Sequence, residues 1–455
     1  MELRNNFGIL IIITLFIFAN IAFLSFYDDV WWDSSVYIGM GKYIFSSGKS
    51  GLWEESRPLV LPFLLGIGWT LNFDVVYFGR FLSIIFAALV VYITYKIGCN
   101  LFSKKTGLLA AFFIAFSYTF LFFSPNMLTE ISSTLFLLLA FYFFLKNRFF
   151  LTGIFSGIAV MTRLFQAFTL IGLVLAFFYL YKKPSFVKKF FYFALGALII
   201  ILPYILLNYY LYHDILLPFK VQTHLTKTTG WMLYKEFGFY FTGLFKENFF
   251  IVFLFSLPLF FKRNHKFYAL LLIPLVYIAI FSFVKHKEMR FMLNVIPFLY
   301  LLVSYCLANV YKKSQYKKFV LAVFSLMIFM WLTITVVSFK NIVLYNHQRD
   351  DEGLLYFQNY LQNNEGRIWI TNPLYALYSN EKIDGLLYFY SSNNLIDFIN
   401  KNKADIVLFN SCDIACGPDD SLCYESRKIL NNMLSKLKIV YQKEINSCKY
   451  AIYEK

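Results

Sequence analysis

Long apolar runs, separated by short clusters of lysine and arginine, decide what this chain can fold into. The runs cover approximately Gly8–Phe26, Val75–Cys99, Gly107–Phe123, Thr129–Leu145, Phe149–Met161, Phe165–Tyr181, Phe190–Tyr212, Phe249–Phe261, Phe267–Val284, Phe291–Tyr311 and Phe319–Phe339. Most reach the roughly 17–25 residues that a helix needs to cross hydrocarbon. The pattern predicts a polytopic α-helical membrane protein with about eleven transmembrane helices. The first run lacks a small-x-small cleavage site and reads as an uncleaved span. A chain that is 59% hydrophobic and 15% charged has more apolar surface than a soluble fold can bury, so the excess faces lipid. The net charge of +16 sits largely in basic clusters beside the runs. There it fixes topology and meets membrane lipid headgroups, and it calls for no nucleic acid partner.

The clusters Lys104/Lys105, Lys146/Arg148, Lys182/Lys183/Lys188/Lys189, Lys262/Arg263/Lys266 and Lys312/Lys313/Lys317/Lys318 fall at every second connection. That alternation predicts a multi-pass cell-membrane protein with a cytoplasmic N-terminus. The connections left outside are 27–74, 124–128, 162–164, 213–248, 285–290 and everything after Lys340. The long loops 27–74 and 213–248 are expected to carry short interfacial helices, one of them over Arg57–Leu71.

Composition divides the chain into a membrane region, 1–344, and a small extracytoplasmic α/β domain, 345–455. In the latter, strand-like runs at Arg367–Thr371, Ala404–Phe409, Lys438–Gln442 and Lys449–Tyr453 alternate with helical patterns at Asp351–Leu361 and Glu425–Leu437. Cys412, Cys416, Cys423 and Cys448 lie here. On an oxidising face they suit two disulfides, for which three connectivities are open; a zinc site lacks its close C-x-x-C pairs. Cys99 and Cys306 lie in or beside spans and read as packing residues.

Three groups of residues carry chemistry. Asp29 and Asp33 stand among aromatic residues just outside the first span, where desolvation and a neighbouring cation tune a carboxylate for use as a general base. The plainer reading is a solvated pair of acids beside belt tryptophans. Glu130 opens an apolar run after a very short outer turn, and Arg163 sits at the outer end of a short helix pair. An ionisable residue at the mouth of a span is a functional candidate, although a snorkelling Arg163 and a Glu130 placed by the helix dipole are the plainer alternatives. The segment KHKEMRF, Lys285–Phe291, packs cations on a face where the positive-inside tendency disfavours them. A phosphate or pyrophosphate on a lipid headgroup would account for His286, Lys287 and Arg290.

On these residues the sequence resembles the C-type (GT-C) glycosyltransferases, which transfer sugars from polyprenyl-phosphate donors. The matching features are Asp33 followed by a Y-x-x-x-G-K-Y-I helix at Tyr37–Ile44 and an R-P-x-x-x-P element at Arg57–Pro62, then Glu130, then HKE-x-RF at His286–Phe291. The first-loop pattern is similar to the protein mannosyltransferase and aminoarabinose transferase branch, and HKE-x-RF to lipid-linked mannosyltransferases. Many relatives have Asp-Glu where this chain has Asp33-Ser34, which keeps Asp29 as a competing base.

The resemblance implies a membrane hexosyltransferase, mannose-like in its sugar, that takes a polyprenyl- or dolichyl-phosphate-linked donor and inverts the anomeric centre at an acceptor hydroxyl of a glycan, lipid or protein. It implies Asp33 as base and Arg57, Arg163, His286, Lys287 and Arg290 as ligands of the donor phosphate. Glu130 would orient the acceptor, or join Asp33 around a divalent cation, Mg²⁺ or Mn²⁺, whose involvement is left open. A transporter or flippase of lipid-linked sugars is the rival reading. Transporters place polar residues near the bilayer midplane, whereas here they cluster at the outer rim.

Overall fold

All the apolar runs fall on helical structure in the computed structural model. It describes residues 2–26, 30–181, 185–228, 233–260, 265–345, 357, 359–360, 366–387, 404–414, 416, 421–445 and 447–455. The helices are α1 (Glu2–Phe23), α2 (Trp32–Phe45), α3 (Val60–Thr70), α4 (Val75–Leu101), α5 (Lys104–Ala115), α6 (Tyr118–Phe123), α7 (Thr129–Leu145), α8 (Phe149–Thr162), α9 (Gln166–Leu180), α10 (Ser185–Tyr212), α11 (Leu217–Thr228), α12 (Phe239–Glu247), α13 (His265–Phe283), α14 (Ile296–Lys313), α15 (Lys317–Tyr345), α16 (Tyr375–Tyr378) and α17 (Ser421–Leu434). The 3₁₀ stretches Leu24–Phe26, Phe249–Phe260, Met289–Asn294 and Ser411–Ile414 interrupt the series.

The expectation of about eleven spans meets a less regular set of helices. Among the described residues three, α4, α10 and α15, are long and apolar enough to cross a membrane alone, and α12 with Phe249–Phe260 forms a further candidate bent by 103°. Run Gly107–Phe123 breaks into α5 and α6 because the Ser117 side chain caps α6 by accepting from the Phe120 N–H. Burial sorts the helices. From Ile296 to Leu307 every residue of α14 is buried, so its apolar residues on all sides face protein. Only 11% of the α15 window and 17% of the α10 window is buried, as lipid-facing helices require.

Packing divides the chain into two bodies. One contains Met1–Tyr27, Arg80–Tyr210 and Lys235–His347; the other contains Asp28–Gly79, Leu211–Tyr234 and Gln348–Lys455. Composition alone drew one line at 344/345, whereas packing groups most of the first loop with the C-terminal sheet.

That sheet has strands β1 (Ile368–Ile370), β2 (Ile383–Leu386), β3 (Ile406–Asn410), β4 (Lys438–Ile445) and β5 (Cys448–Glu454), in the order β2-β1-β3-β5-β4. The pairs β1/β2 and β1/β3 are parallel; β3/β5 and β4/β5 are antiparallel. Alternation sends Ile368, Ile370, Ile406, Leu408 and Ile452 to one face, where Val36 and Met40 of α2, Leu52, and Tyr375 and Ala376 of α16 cover them. Trp369, Val407, Phe409, Ala451 and Tyr453 face Leu430 and Leu434 of α17 on the other. Two disulfides, Cys412–Cys448 and Cys416–Cys423, tie the end of β3 to β5 and to α17. Most of the expected Asp351–Leu361 helix lies outside the described residues.

Candidate active site

The first-loop residues come together because α2 and α3 pack through small residues. A Cβ on Gly41 would lie 2.7 Å from the Pro62 carbonyl oxygen and 2.8 Å from the Gly66 nitrogen, so only glycine lets the two backbones approach this closely. Lys42, next in sequence, turns the other way. Its buried ammonium donates to the carbonyls of Ala376, Leu377 and Ser379 at 2.8–3.0 Å and so satisfies the end of α16. Burial lowers its pKa to about 8.

On α2 the side chains of Asp33 and Tyr37 are one turn apart on one face, and Arg57 from the turn before α3 reaches both. Arg57 Nη2 lies 2.7 Å from Asp33 Oδ1, Nε 3.2 Å from Glu54 Oε1, and Nη1 donates to the Tyr37 hydroxyl at 3.3 Å. Glu54 also accepts from the Ser56 hydroxyl. Burial alone would lower the pKa of Arg57, but Asp33 and then Glu54 outweigh it and hold the guanidinium well above its ordinary value.

A second cluster is built inside the membrane body. Helices α7 and α8 are joined by the tight turn Lys146–Arg148, so the start of α7 meets the end of α8. Glu130 Oε1 is 2.6 Å from Arg163 Nη1 and 3.6 Å from Arg290 Nε. Arg290 forks onto Glu288 at 2.8 and 2.9 Å, and Glu288 also meets His286 Nε2 at 3.0 Å. Burial pushes the Glu288 carboxyl up, but Arg290 and then His286 outweigh it and hold it below its ordinary value. The Phe291 ring lies 5.0 Å from the Arg163 guanidinium and 5.6 Å from that of Arg290, a cation–π arrangement. Lys287 is buried and donates to the Lys235 carbonyl at 2.9 Å; burial lowers its pKa.

Beneath the arginines runs a buried polar layer. Gln166 Nε2 donates to Asn294 Oδ1 at 2.8 Å and to Ser133 Oγ at 2.9 Å, and Asn294 Nδ2 donates to the Tyr277 hydroxyl at 2.8 Å. This layer locks α7, α9, α13 and the 3₁₀ stretch into one register. Inside the bundle such groups must find protein partners, because no water competes for them.

The structure thus places Asp33 with Arg57, and Glu130 with Arg163, Arg290, His286 and Glu288. Asp29 lies outside the described residues. Arg163 does not snorkel; it is buried in an ion pair. Sequence reasoning missed Glu54, Glu288, Tyr37, Gln166 and Asn294 as members of these clusters. Glu54, Gln166, Glu288 and Asn294 lie within four residues of Arg57, Arg163 or Arg290 in the chain, whereas Tyr37 lies 20 residues from Arg57. Among the described residues, no three His, Cys, Asp or Glu side chains stand together to hold a divalent cation, and Asp33 and Glu130 already carry arginine charge.

A comparison with curated proteins finds no match. In fold the chain is similar to ArnT from Cupriavidus metallidurans bound to undecaprenyl phosphate, with a TM-score of 0.66 at 9% identity over 98% of each chain. It is also similar to the oligosaccharyltransferase AglB from Archaeoglobus fulgidus in complex with an inhibitory peptide and a dolichol-phosphate. There the TM-score is 0.67 at 12% identity, covering 90% of this chain and 70% of that one. The Alg9-like mannosyltransferase family model matches residues 14–376. With the family model spanning most of the chain and the GT-C fold present in the structure, this protein belongs to the Alg9-like mannosyltransferase family and is a membrane glycosyltransferase.

Proposed function

We propose that the enzyme transfers a mannose-like hexose from a polyprenyl- or dolichyl-phosphate donor to an acceptor hydroxyl, with inversion, on the extracytoplasmic face. Asp33 takes the proton of the acceptor hydroxyl. The freed oxygen attacks the anomeric carbon, the bond from that carbon to the phosphate oxygen breaks, and the polyprenyl phosphate leaves with the electron pair. Charge grows on the phosphate as the bond breaks, so fixed cations stabilise the transition state more than the ground state. Arg163 and Arg290 are assigned that task, with His286, Lys287 and Arg57 contributing positive potential.

The observation that carries the assignment is the difference in access between the two arginine-bound acids. The Asp33 side chain is 20% exposed and Glu130 only 1%. Asp33 is open to a substrate and held in place by Arg57. Glu130 is sealed, and its part is to hold Arg163 and Arg290 side by side. Bound undecaprenyl phosphate in ArnT and dolichol-phosphate in AglB support the donor class. The two disulfides and the alternating basic clusters support the outward placement of the C-terminal body.

The test is transfer of radiolabelled mannose from polyprenyl phosphate by the full chain in nanodiscs. Asp33→Asn, at equal folded yield, should lose about 10²–10⁴-fold in turnover, the range of general-base catalysis, while still binding donor. Undiminished turnover in that variant would overturn the base assignment. Movement of the lipid-linked sugar across the bilayer without transfer to any acceptor would favour a flippase.

A further inference from the structure

Between Glu130 and Asp214 the chain contains no Asp or Glu. Apart from Arg163, which pairs with Glu130, the described Lys146, Arg148, Lys188 and Lys189 lie at the end of α7 and in the first turns of α8 and α10. The 17 residues of α7 place Lys146 and Arg148 about 25 Å from Glu130, at 1.5 Å per residue. Among the described residues, Lys146, Arg148, Lys188 and Lys189 pair with no carboxylate.

This end of the bundle is built tightly. Asn147 takes the left-handed conformation that ends α7, at φ +56°, and the Arg148 N–H bonds the Phe143 carbonyl at 2.9 Å. The Tyr181 hydroxyl donates to Asn147 Oδ1 at 3.0 Å. The Lys189 ammonium sits 3.7 Å from the centroid of the Tyr181 ring and 5.6 Å from that of Phe149, so its charge is held in place. Helices α8 and α10 touch through glycine: a Cβ on Gly153 would lie 2.0 Å from the Phe193 carbonyl oxygen, and one on Gly196 2.3 Å from that of Phe150. Small residues permit this approach between membrane helices.

Beside the start of α8 and the early turns of α10 lies a pocket of about 570 Å³ whose lining includes Asn147, Arg148, Phe149, Lys188, Lys189 and Tyr192. Two of its lining aromatic residues are exposed, Phe150 at 39% and Tyr192 at 44%. Basic side chains above exposed aromatic residues match a molecule with an anionic head and hydrocarbon tails.

We propose that this pocket seats one anionic phospholipid of the surrounding bilayer. Its phosphate meets the Arg148 fork and the Lys188 and Lys189 ammonium groups, and its acyl chains lie along Phe150 and Tyr192. The exposed aromatic lining selects a lipid over free phosphate, which would leave it unused. The site lies a helix length from the Glu130 cluster and does not depend on the reaction assigned there.

The experiment is native mass spectrometry of the full chain released from phosphatidylcholine nanodiscs containing phosphatidylglycerol. Wild type should retain one phosphatidylglycerol in preference to phosphatidylcholine. Arg148→Gln/Lys188→Gln/Lys189→Gln should lose at least roughly tenfold in retention, as expected when three basic residues near an anionic headgroup are neutralised. Lys312→Gln/Lys313→Gln/Lys317→Gln removes equal charge from another loop and should keep the lipid. Should the first triple variant fail to fold, Lys189→Gln alone is scored against Lys313→Gln. Equal loss in the two sets, or no preference in wild type, would show diffuse attraction and overturn the proposal. Displacement of the lipid by millimolar inorganic phosphate would assign the pocket to a free anion instead.

Discussion

Glu130 is buried between the guanidinium groups of Arg163, also buried, and Arg290, partly buried, and its worth can be read by neutralising it. Glu130→Gln keeps the shape but leaves Arg163 and Arg290 facing each other without the charge that joins them. Removing one member of a buried pair costs about 3–5 kcal/mol, so the variant should unfold at a clearly lower temperature. A polyprenyl phosphate should restore much of that loss, because an anion bound only by the folded state replaces the missing charge. Restoration larger than in wild type identifies the arginines as phosphate ligands; an unchanged midpoint without ligand would show that Glu130 does not hold them. Asp413 offers a test of opposite sign in the C-terminal body. Burial raises its carboxyl pKa from 3.8 to about 7, against bonds from Thr371, Asn372 and Asn410 that lower it. Between those values the native state keeps a proton that the unfolded chain has released. Its contribution is therefore present at low pH and is lost as pH rises from about 4 to about 7. Hydrogen exchange on β1 and β3 should speed up across that interval in wild type relative to Asp413→Asn, and a parallel response in the two proteins would remove Asp413 as the cause.

The packing of α2 on α3 is what brings Asp33 within reach of Arg57, and it rests on the close approach of Gly41 to Pro62 and Gly66. Gly41→Ala puts a methyl group 2.7 Å from the Pro62 carbonyl oxygen, and backbone at that point cannot give way as a flexible side chain would. Overpacking of this kind costs about 1–3 kcal/mol, so the variant should lose stability and, in transfer assays, turnover more than donor binding. Turnover equal to wild type would mean that the Asp33–Arg57 pair tolerates separation of the two helices. This element was legible in the sequence because the G-K pair, the R-P-x-x-x-P turn and the apolar face all lie within one short stretch. The spans were legible for the same reason: an apolar run is a local signal. The break at Ser117, the bend between α12 and Phe249–Phe260, and strand β2 were not. Each depends on partners far away in the chain, such as the Glu247 carboxylate that accepts from the Ser117 hydroxyl at 2.5 Å, or the parallel pairing of β2 with β1. Glu54 and Glu288 were passed over because an acid beside an arginine in sequence carries no sign of which side chain it will face.

Across the whole chain, composition suggested a boundary near 344/345, yet the sheet that follows has an apolar face covered from another part of the sequence. Ile368, Ile370, Ile406, Leu408 and Ile452 lie under Val36, Met40 and Leu52, and Lys42 satisfies the last carbonyls of α16. Complete burial of one such aliphatic side chain contributes about 1.5–3 kcal/mol. Uncovering even part of this face therefore removes several kcal/mol, on the order of the whole stability of a small domain. The disulfides do not compensate, since they tie the opposite region, from β3 to β5 and α17. The fragment 345–455, produced in an oxidising compartment, is accordingly expected to bind hydrophobic dyes, to exchange its sheet amides rapidly and to aggregate. Supplying residues 28–79 as a second chain should restore protection on β1 and β3, and Met40→Asp in that chain should abolish the rescue. A fragment 345–455 that unfolds cooperatively by itself, with slow exchange throughout the sheet, would show that the first loop merely rests on a finished domain. Rescue by 28–79 would show instead that the segment carrying Asp33 and Arg57 and the C-terminal sheet fold as one unit, so that disturbing either one shifts the candidate base.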